Sequence, residues 1–391
     1  MMLKIKFSLG IYTNTVKIMK KVLFIFGTRP EAIKMAPVIK ALKDDHSFDS
    51  RVCVTGQHRK MLDQVLNIFS IKPDYDLDIM KSKQSLEEIT SSILFGLKEI
   101  FNEFNPEIVI VHGDTSTTFS SSLAAYFSKI KIAHVEAGLR TGDIYSPWPE
   151  EGNRKLTGVL ADLHFAPTTS AKENLLNENI PNKKIFITGN TVVDSLLWVL
   201  DIIKNDTDIQ SKLKKKYNYL NNDKKLILVT GHRRESFGKG FVSICNAIKH
   251  VAKNNENVEF LYPVHLNPNV IKPVKEILGG IKNVFLIEPV EYLEFCYLMQ
   301  KSYIILTDSG GIQEEAPSLG KPVLVMRDVT ERPEAVDAGT VKLVGTDTSV
   351  IIDELNKLTN NREIYEKMSL SHNPYGDGNA SIKIKTLLKE I

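Results

Sequence analysis

The residues that could do chemistry cluster where apolar runs stop. The run Ile108–His112 ends in Gly113-Asp114-Thr115, and the run Lys131–Val135 ends in Glu136-Ala137-Gly138-Leu139-Arg140. If these runs are neighbouring strands of a parallel sheet, Asp114 and Glu136 emerge on one sheet edge. Two carboxylates arriving together can act as base and acid once their environments separate their pKa values. Each also has a structural explanation: Asp114 can cap the following helix, and Glu136 can pair with Arg140. A third acid, Glu150, lies in the loop Asp143–Asn153, whose two prolines and one tryptophan make it too rigid and aromatic for a passive solvent loop. Capping of the next helix is its alternative role.

A second set of residues suits a nucleotide diphosphate. The run Leu226–Thr230 leads into Gly231-His232-Arg233-Arg234-Glu235-Ser236, where arginine offers a bidentate fork and histidine a cation or proton donor. The run Tyr303–Thr307 leads into Asp308-Ser309-Gly310-Gly311-Ile312-Gln313-Glu314-Glu315. Ser-Gly-Gly opening a helix exposes backbone N–H groups at the positive end of the helix dipole, an anion site. Glu315, one turn in, can accept hydrogen bonds from a ribose diol. The first strand runs into Gly27-Thr28-Arg29-Pro30-Glu31; Arg29 is expected to face the cleft, and Pro30 fits the first helical turn, where its missing N–H costs nothing. None of these turns is the GxGxxG dinucleotide fingerprint, so nicotinamide chemistry is not expected. His58 and His265 sit in polar loops and receive no role. Carboxylates in one half and a diphosphate cradle in the other point to a sugar nucleotide.

The elements that must position these residues alternate along the chain. Strands are expected at Val22–Phe26, Arg51–Thr55, Ile108–His112, Lys131–Val135, Leu163–Ala166 and Ile185–Thr188, and again at Leu226–Thr230, Val258–Tyr262, Val284–Ile287, Tyr303–Thr307, Val323–Met326 and Val341–Val344. Helical periodicity fills most gaps of the first half, including Glu31–Lys43, Lys60–Phe69, Leu86–Phe104, Thr117–Phe127 and Glu151–Ala161. This pattern predicts an α/β protein: two Rossmann-like, doubly wound domains facing across a cleft, with ligands outside the carboxyl ends of the strands. The expected division is 19–190 for the domain carrying the carboxylates and 191–378 for the nucleotide-binding domain. Asp201–Asp223 reads as helix plus surface loop. Residues 379–391 form an amphipathic helix that packs back on the first domain. Residues 1–18 are expected to be a mis-started or disordered extension, too interrupted by lysines to be a signal peptide.

Composition sets the outer limits. The chain has 391 residues, with 50 Lys+Arg against 47 Asp+Glu interleaved along it, so neither a nucleic-acid nor a membrane footprint is expected. No apolar run reaches the length of a membrane span. Cys53, Cys245 and Cys296 lack CxxC spacing, which argues against disulfides and a zinc site and for a reducing, cytoplasmic location.

Taken together, GTRPEAIKMAPVI (27–39), HGDTSTT (112–118), HVEAGLRTGDIYSPWPEEGNR (134–154), GHRRESFG (231–238), YPVHLNPNV (262–270), DSGGIQEEAPSLGKPVLVMRDVTERPEAV (308–336) and NPYGDG (373–378) resemble the non-hydrolysing UDP-N-acetylglucosamine 2-epimerases over about residues 19 to 390. The resemblance implies the GT-B architecture, a homodimer in the cytoplasm, and reversible interconversion of UDP-GlcNAc and UDP-ManNAc with no cofactor and no metal, supplying ManNAc for cell-surface polysaccharides. It implies elimination of UDP to 2-acetamidoglucal and re-addition. Catalytic roles are implied for Asp114, Glu136, Glu150 and His232, with the order of proton transfers open. UDP contacts are implied for Arg29, Lys34, Val290, Phe295, Ser309, Gly310, Gly311, Glu315 and Arg332; relatives often carry Gln where this chain has Val290. A second UDP-GlcNAc acting as activator would use the loop Gln57-His58-Arg59. Three rivals share parts of this pattern: a hydrolysing 2-epimerase, distinguished by release of free ManNAc; a GT-B glycosyltransferase, which needs an acceptor patch; and a non-catalytic sensor, which needs the cradle but not the acids.

Overall fold

The computed structural model describes residues 19–391 except 57, 58, 82 and 83, and leaves the side chains of Arg59 and Lys60 undescribed. Thirteen strands form two wholly parallel sheets among these residues. The first contains β1 (Lys20–Phe26), β2 (Phe48–Val54), β3 (Tyr75–Asp76), β4 (Ile108–His112), β5 (Lys131–Val135), β6 (Leu163–Ala166) and β7 (Ile185–Ile187), in the order β3-β2-β1-β4-β5-β6-β7. The second contains β8 (Lys225–Thr230), β9 (Val258–Pro263), β10 (Val284–Ile287), β11 (Ile304–Thr307), β12 (Val323–Val325) and β13 (Val341–Leu343), in the order β10-β9-β8-β11-β12-β13.

The strands are Val/Ile/Leu runs because helices cover both faces of each sheet, so both side-chain rows need apolar partners. Phe24, Ile25, Val109 and Ile110 are all fully buried although they point to opposite faces. The face of each sheet turned toward the other half shares one continuous core, bridged by Val192, Val193, Leu196 and Val199 of the helix Thr191–Asn205. The outward faces carry separate cores, one centred on Ile93, Leu97 and Phe101, the other on Phe241, Ile248 and Val274. The strand missing from the sequence reading is β3, two residues long and paired only with Cys53 and Val54. It is too short for any periodicity to announce it.

Both sheets reverse their winding at one place. In the first, the chain moves outward from β1 through β2 on one side and from β4 through β5 on the other. In the second, the same reversal separates β8 from β11. Loops leaving adjacent strands there diverge and leave a crevice. The residues after β1 and β4 are Arg29 and Asp114; those after β8 and β11 are His232 and Ser309.

The C-terminal helix Ala380–Glu390 lies against the helices Arg29–Lys43 and Thr191–Asn205. Asp194 receives the backbone N–H groups of Ala380 and Ser381 and the Ser381 hydroxyl, satisfying donors at the helix start that would otherwise be stranded in a buried position. Lys20 donates to the Leu388 carbonyl at 2.7 Å.

Candidate active site

The two crevices face each other and merge into a cleft of about 770 Å³. Its walls include Arg29, Lys34, His112, Asp114, Glu136, His232, Val290, Phe295, Ser309, Gly311, Glu315 and Arg332. Gly310 lies just behind the wall: a Cβ there would sit 2.6 Å from the Arg332 guanidinium, so only glycine lets that side chain cross. Glu150 is not among the walling residues. It opens the helix Glu150–Leu160, and its negative charge is felt at Asp114.

The turn after β1 is held by its own acid. Glu31 accepts the backbone N–H groups of Gly27 and Thr28 at 3.1 and 2.8 Å in a capping box, an arrangement the Thr28…Glu31 spacing encodes. Its other oxygen accepts the hydroxyls of Thr115 and Thr118. One buried carboxylate thus fixes the Arg29 turn against the Asp114 turn.

Asp114 does not cap the next helix; Thr115 does, accepting from the Thr118 N–H. The Asp114 carboxylate is paired with Arg154 Nη2 at 2.7 Å, and its carbonyl accepts from Asn153. Burial pushes the Asp114 carboxyl up, with the charges of Glu136 and Glu150 adding to the rise against the pull of Arg154.

Glu136 does not pair with Arg140 either; that arginine is taken by Glu178 at 2.6 Å. Glu136 adopts φ +62°, the left-handed region that costs a non-glycine residue about 1–2 kcal/mol and is found where function requires it. Its carboxylate receives Lys34 Nζ and Asn190 Nδ2 at 2.8 Å, with His112 Nε2 at 3.8 Å. Burial alone would raise the proton affinity of Glu136, but the positive charges of Lys34 and Arg332, with the Lys34 hydrogen bond, bring it well below the ordinary range. The His112 imidazole is buried to a pKa of about 4 and is neutral. Asp114 and Glu136 are thus driven in opposite directions, the condition under which two carboxylates take different proton roles.

Across the cleft, Glu314 completes the cluster. Its carboxylate accepts Arg332 Nε at 2.7 Å and Asn190 Nδ2 at 3.0 Å, and lies 3.2 Å from Lys34 Nζ. The neighbouring Glu315 accepts the Tyr292 hydroxyl at 3.1 Å, and burial pushes its carboxyl up to about 8. His232 stacks on His265, ring centroids 5.5 Å apart, with Nδ1 3.4 Å from Asp308. Asp308 also accepts the backbone N–H groups of His232 and Arg233 at 2.6 and 2.7 Å, so one acid orients both the loop and the ring.

The cleft therefore gathers most of the residues expected from the sequence. Gln57 and His58 lie outside the described residues, as does the side chain of Arg59. Sequence reasoning passed over Glu314, Asn190, His112 and Tyr292. Glu314 stood in view beside Glu315, but adjacent helical residues point about 100° apart, and spacing alone does not say that Glu315 lines the cleft while Glu314 turns inward to Lys34 and Asn190. Asn190 carries only the signature of an N-cap, which it also is.

The family model described as UDP-N-acetylglucosamine 2-epimerase matches residues 40–389. The UDP-N-acetylglucosamine 2-epimerase of Yersinia pestis is 60% identical over 369 residues, covering 94% of this chain and 98% of the relative. The crystal structure of UDP-GlcNAc 2-epimerase from Neisseria meningitidis bound to UDP-GlcNAc superposes with a TM-score of 0.87 at 57% identity, covering 94% of this chain and all of that one. The Methanocaldococcus jannaschii enzyme, solved in complex with UDP-GlcNAc and UDP, superposes at 0.77 with 34% identity, covering 95% of this chain and all of that one. A match of this extent, over both halves and through the cleft between them, makes the chain a member of the UDP-N-acetylglucosamine 2-epimerase family.

Proposed function

We propose that this protein inverts carbon 2 of UDP-N-acetylglucosamine, interconverting it with UDP-N-acetylmannosamine. The observation that carries the reading is the meeting of two oppositely tuned carboxylates, Asp114 and Glu136, with His232 and the Ser309–Gly311 turn in one cleft. The hydrogen on carbon 2 is not beside a carbonyl, so its removal needs the carbon 1–oxygen bond to break as well. A base takes the proton, the C–H electron pair forms the carbon 1–carbon 2 double bond, and the carbon 1–oxygen pair leaves with UDP. Re-addition of UDP with protonation of the opposite face of 2-acetamidoglucal gives the epimer.

In this reading Asp114, Glu136 and Glu150 share the proton transfers. Arg29, Lys34 and Arg332 supply positive charge and His232 a ring N–H donor to the departing diphosphate, so that UDP is held for the return step. Val290 and Phe295 flank the base, Gly310 and Gly311 admit the phosphates closely, and Glu315 accepts from the ribose. Residues 19–190 act as the domain bringing the acids and 191–378 as the domain holding UDP. Three buried, unpaired cysteines suit a cytoplasmic setting.

We further propose a homodimer through the outer face of the first sheet's helices. The neighbouring helices Leu86–Phe104, Ser116–Phe127 and Glu150–Leu160 expose Phe95, Tyr126, Phe127, Leu156 and Val159, with Phe127 at 67% and Val159 at 77%. Such an apolar surface on one side of a domain favours association.

Proton NMR of the purified protein with UDP-GlcNAc in heavy water tests the reaction. The expected product is UDP-ManNAc deuterated at carbon 2 with the nucleotide attached. Accumulation of free ManNAc and UDP would favour the hydrolysing variant, and bound but unchanged substrate would remove the catalytic assignment.

A further inference from the structure

Glu136 is poorly prepared to take a proton as it stands. A carboxylate already gripped by an ammonium and an amide has its lone pairs engaged and its proton affinity depressed. For Glu136 to act as base, Lys34 must release it, and an ammonium whose side chain is 10% exposed needs a second acceptor close at hand before the leaving group has developed its charge.

Glu314 provides that place. Its side chain is 1% exposed and belongs to the other half of the molecule. Lys34 Nζ touches Glu136 and lies 3.2 Å from Glu314 Oε2. The Asn190 amide spans the same two acceptors, 2.8 Å from one and 3.0 Å from the other. Both donors are thus poised between two carboxylates of the same chemistry. Glu314 itself is pinned: Arg332 Nε holds its other oxygen at 2.7 Å, and Asn373 holds its backbone carbonyl at 3.1 Å. Lys34, on four methylenes, is the movable member.

Resting on the epimerase reading, we propose that Glu314 is a positioning residue of the reaction: it is the fixed second acceptor to which Lys34 passes when Glu136 takes the proton from carbon 2. The proton moves from carbon 2 to a Glu136 oxygen, the C–H electron pair becomes the second bond of the carbon 1–carbon 2 double bond, and the carbon 1–oxygen pair leaves with UDP. Lys34 keeps all its protons. Two carboxylates against Lys34 and Arg332 balance before the transfer; afterwards Glu136 is neutral and the cluster carries one net positive charge. That charge appears beside the diphosphate as it departs with its extra negative charge. The other groups facing the cluster are His112 and Asp114 from the first sheet, and Glu315 and Tyr375 from the second half. None of them has an oxygen within hydrogen-bond distance of Lys34 among the described residues.

Glu314→Gln keeps the size and removes the charge, so Lys34 stays on Glu136. The expected result is a kcat lowered at least about tenfold with KM within about threefold. The acid limb of the kcat profile should move to lower pH, because Glu136 has lost the competing anion. Glu314→Asp, which restores the charge, should return the limb to its wild-type position. A spacer role would lower thermal stability or raise KM and leave the limb in place; that outcome, or wild-type kcat in Glu314→Gln, overturns the proposal. If Glu314→Gln does not fold, Lys34→Arg puts the same question. A guanidinium fork spans both carboxylates at once and has no need to pass between them, so kcat should fall at least about tenfold with UDP still bound; unchanged turnover would sink the idea. A wild-type protein that fails to epimerise refutes the reading underneath, whereas active wild type with an indifferent Glu314→Gln refutes only the role of Glu314.

Discussion

The carboxyl of Glu315 has a direct signature in solution. Its folded pKa of about 8 lies far above the ordinary value of 4.5, so the fold holds a proton that the unfolded chain releases. The raised group contributes stability that is complete below pH 4.5 and is lost as pH climbs through 8. Between pH 5 and 8 the stability difference between Glu315→Gln and wild type should widen in favour of the variant by about 1.4 kcal/mol per pH unit, as read from urea titrations; parallel curves would contradict the burial account. For the acids across the cleft, Asp114→Asn and Glu136→Gln should each cut turnover by about 10²–10⁴ while calorimetry still records UDP binding. At this scale the sequence is generous where a polar residue follows a strand and a glycine, since a turn at a sheet edge has few places to aim a side chain. It is silent about Glu314 and Asn190, because the bonds that bring Asn190 to Glu136 and to Glu314 join residues more than 50 positions apart.

Element by element, the strands of both sheets were legible to within three residues because runs of Val, Ile and Leu flanked on both faces by helices have no other use. The two-residue β3 was not, and neither were the partners of the helix ends. Gly138 shows how tightly the pieces close: at φ +95° its missing Cβ would lie 2.1 Å from the Ala171 carbonyl oxygen. The helix Thr169–Asn177 thus rests directly on the turn after β5, and Asn174 ties them by donating to the Gly138 carbonyl at 2.9 Å. Gly138→Ala should cost about 3 kcal/mol or more through combined strain and displacement. Chemical denaturation measures it, and a loss under about 1 kcal/mol would mean the turn can move away.

For the whole molecule, two domains facing across a cleft were legible in the alternation of strands and helices, whereas the side-chain bonds that join the halves, Asn190 to Glu136 and to Glu314, were not, because no local pattern records how one sheet lies on another. The outer apolar face is the corresponding unknown for assembly. Phe127→Glu combined with Val159→Glu should convert a dimer to a monomer in sedimentation equilibrium, with folding intact by circular dichroism; an unchanged mass would locate the interface elsewhere.

The clasp between the C-terminal helix and the first half also bears on synthesis. Asp194, the Arg29–Lys43 helix and Lys20 all wait for residues 380–390, which leave the ribosome after the entire second half. At roughly 5–20 residues per second, that flank stays bare for about ten to forty seconds, with Asp194 bonded to water in place of Ala380 and Ser381. The order of translation therefore makes the first domain the last to be finished, and any shortening of the chain at its far end is felt at its beginning.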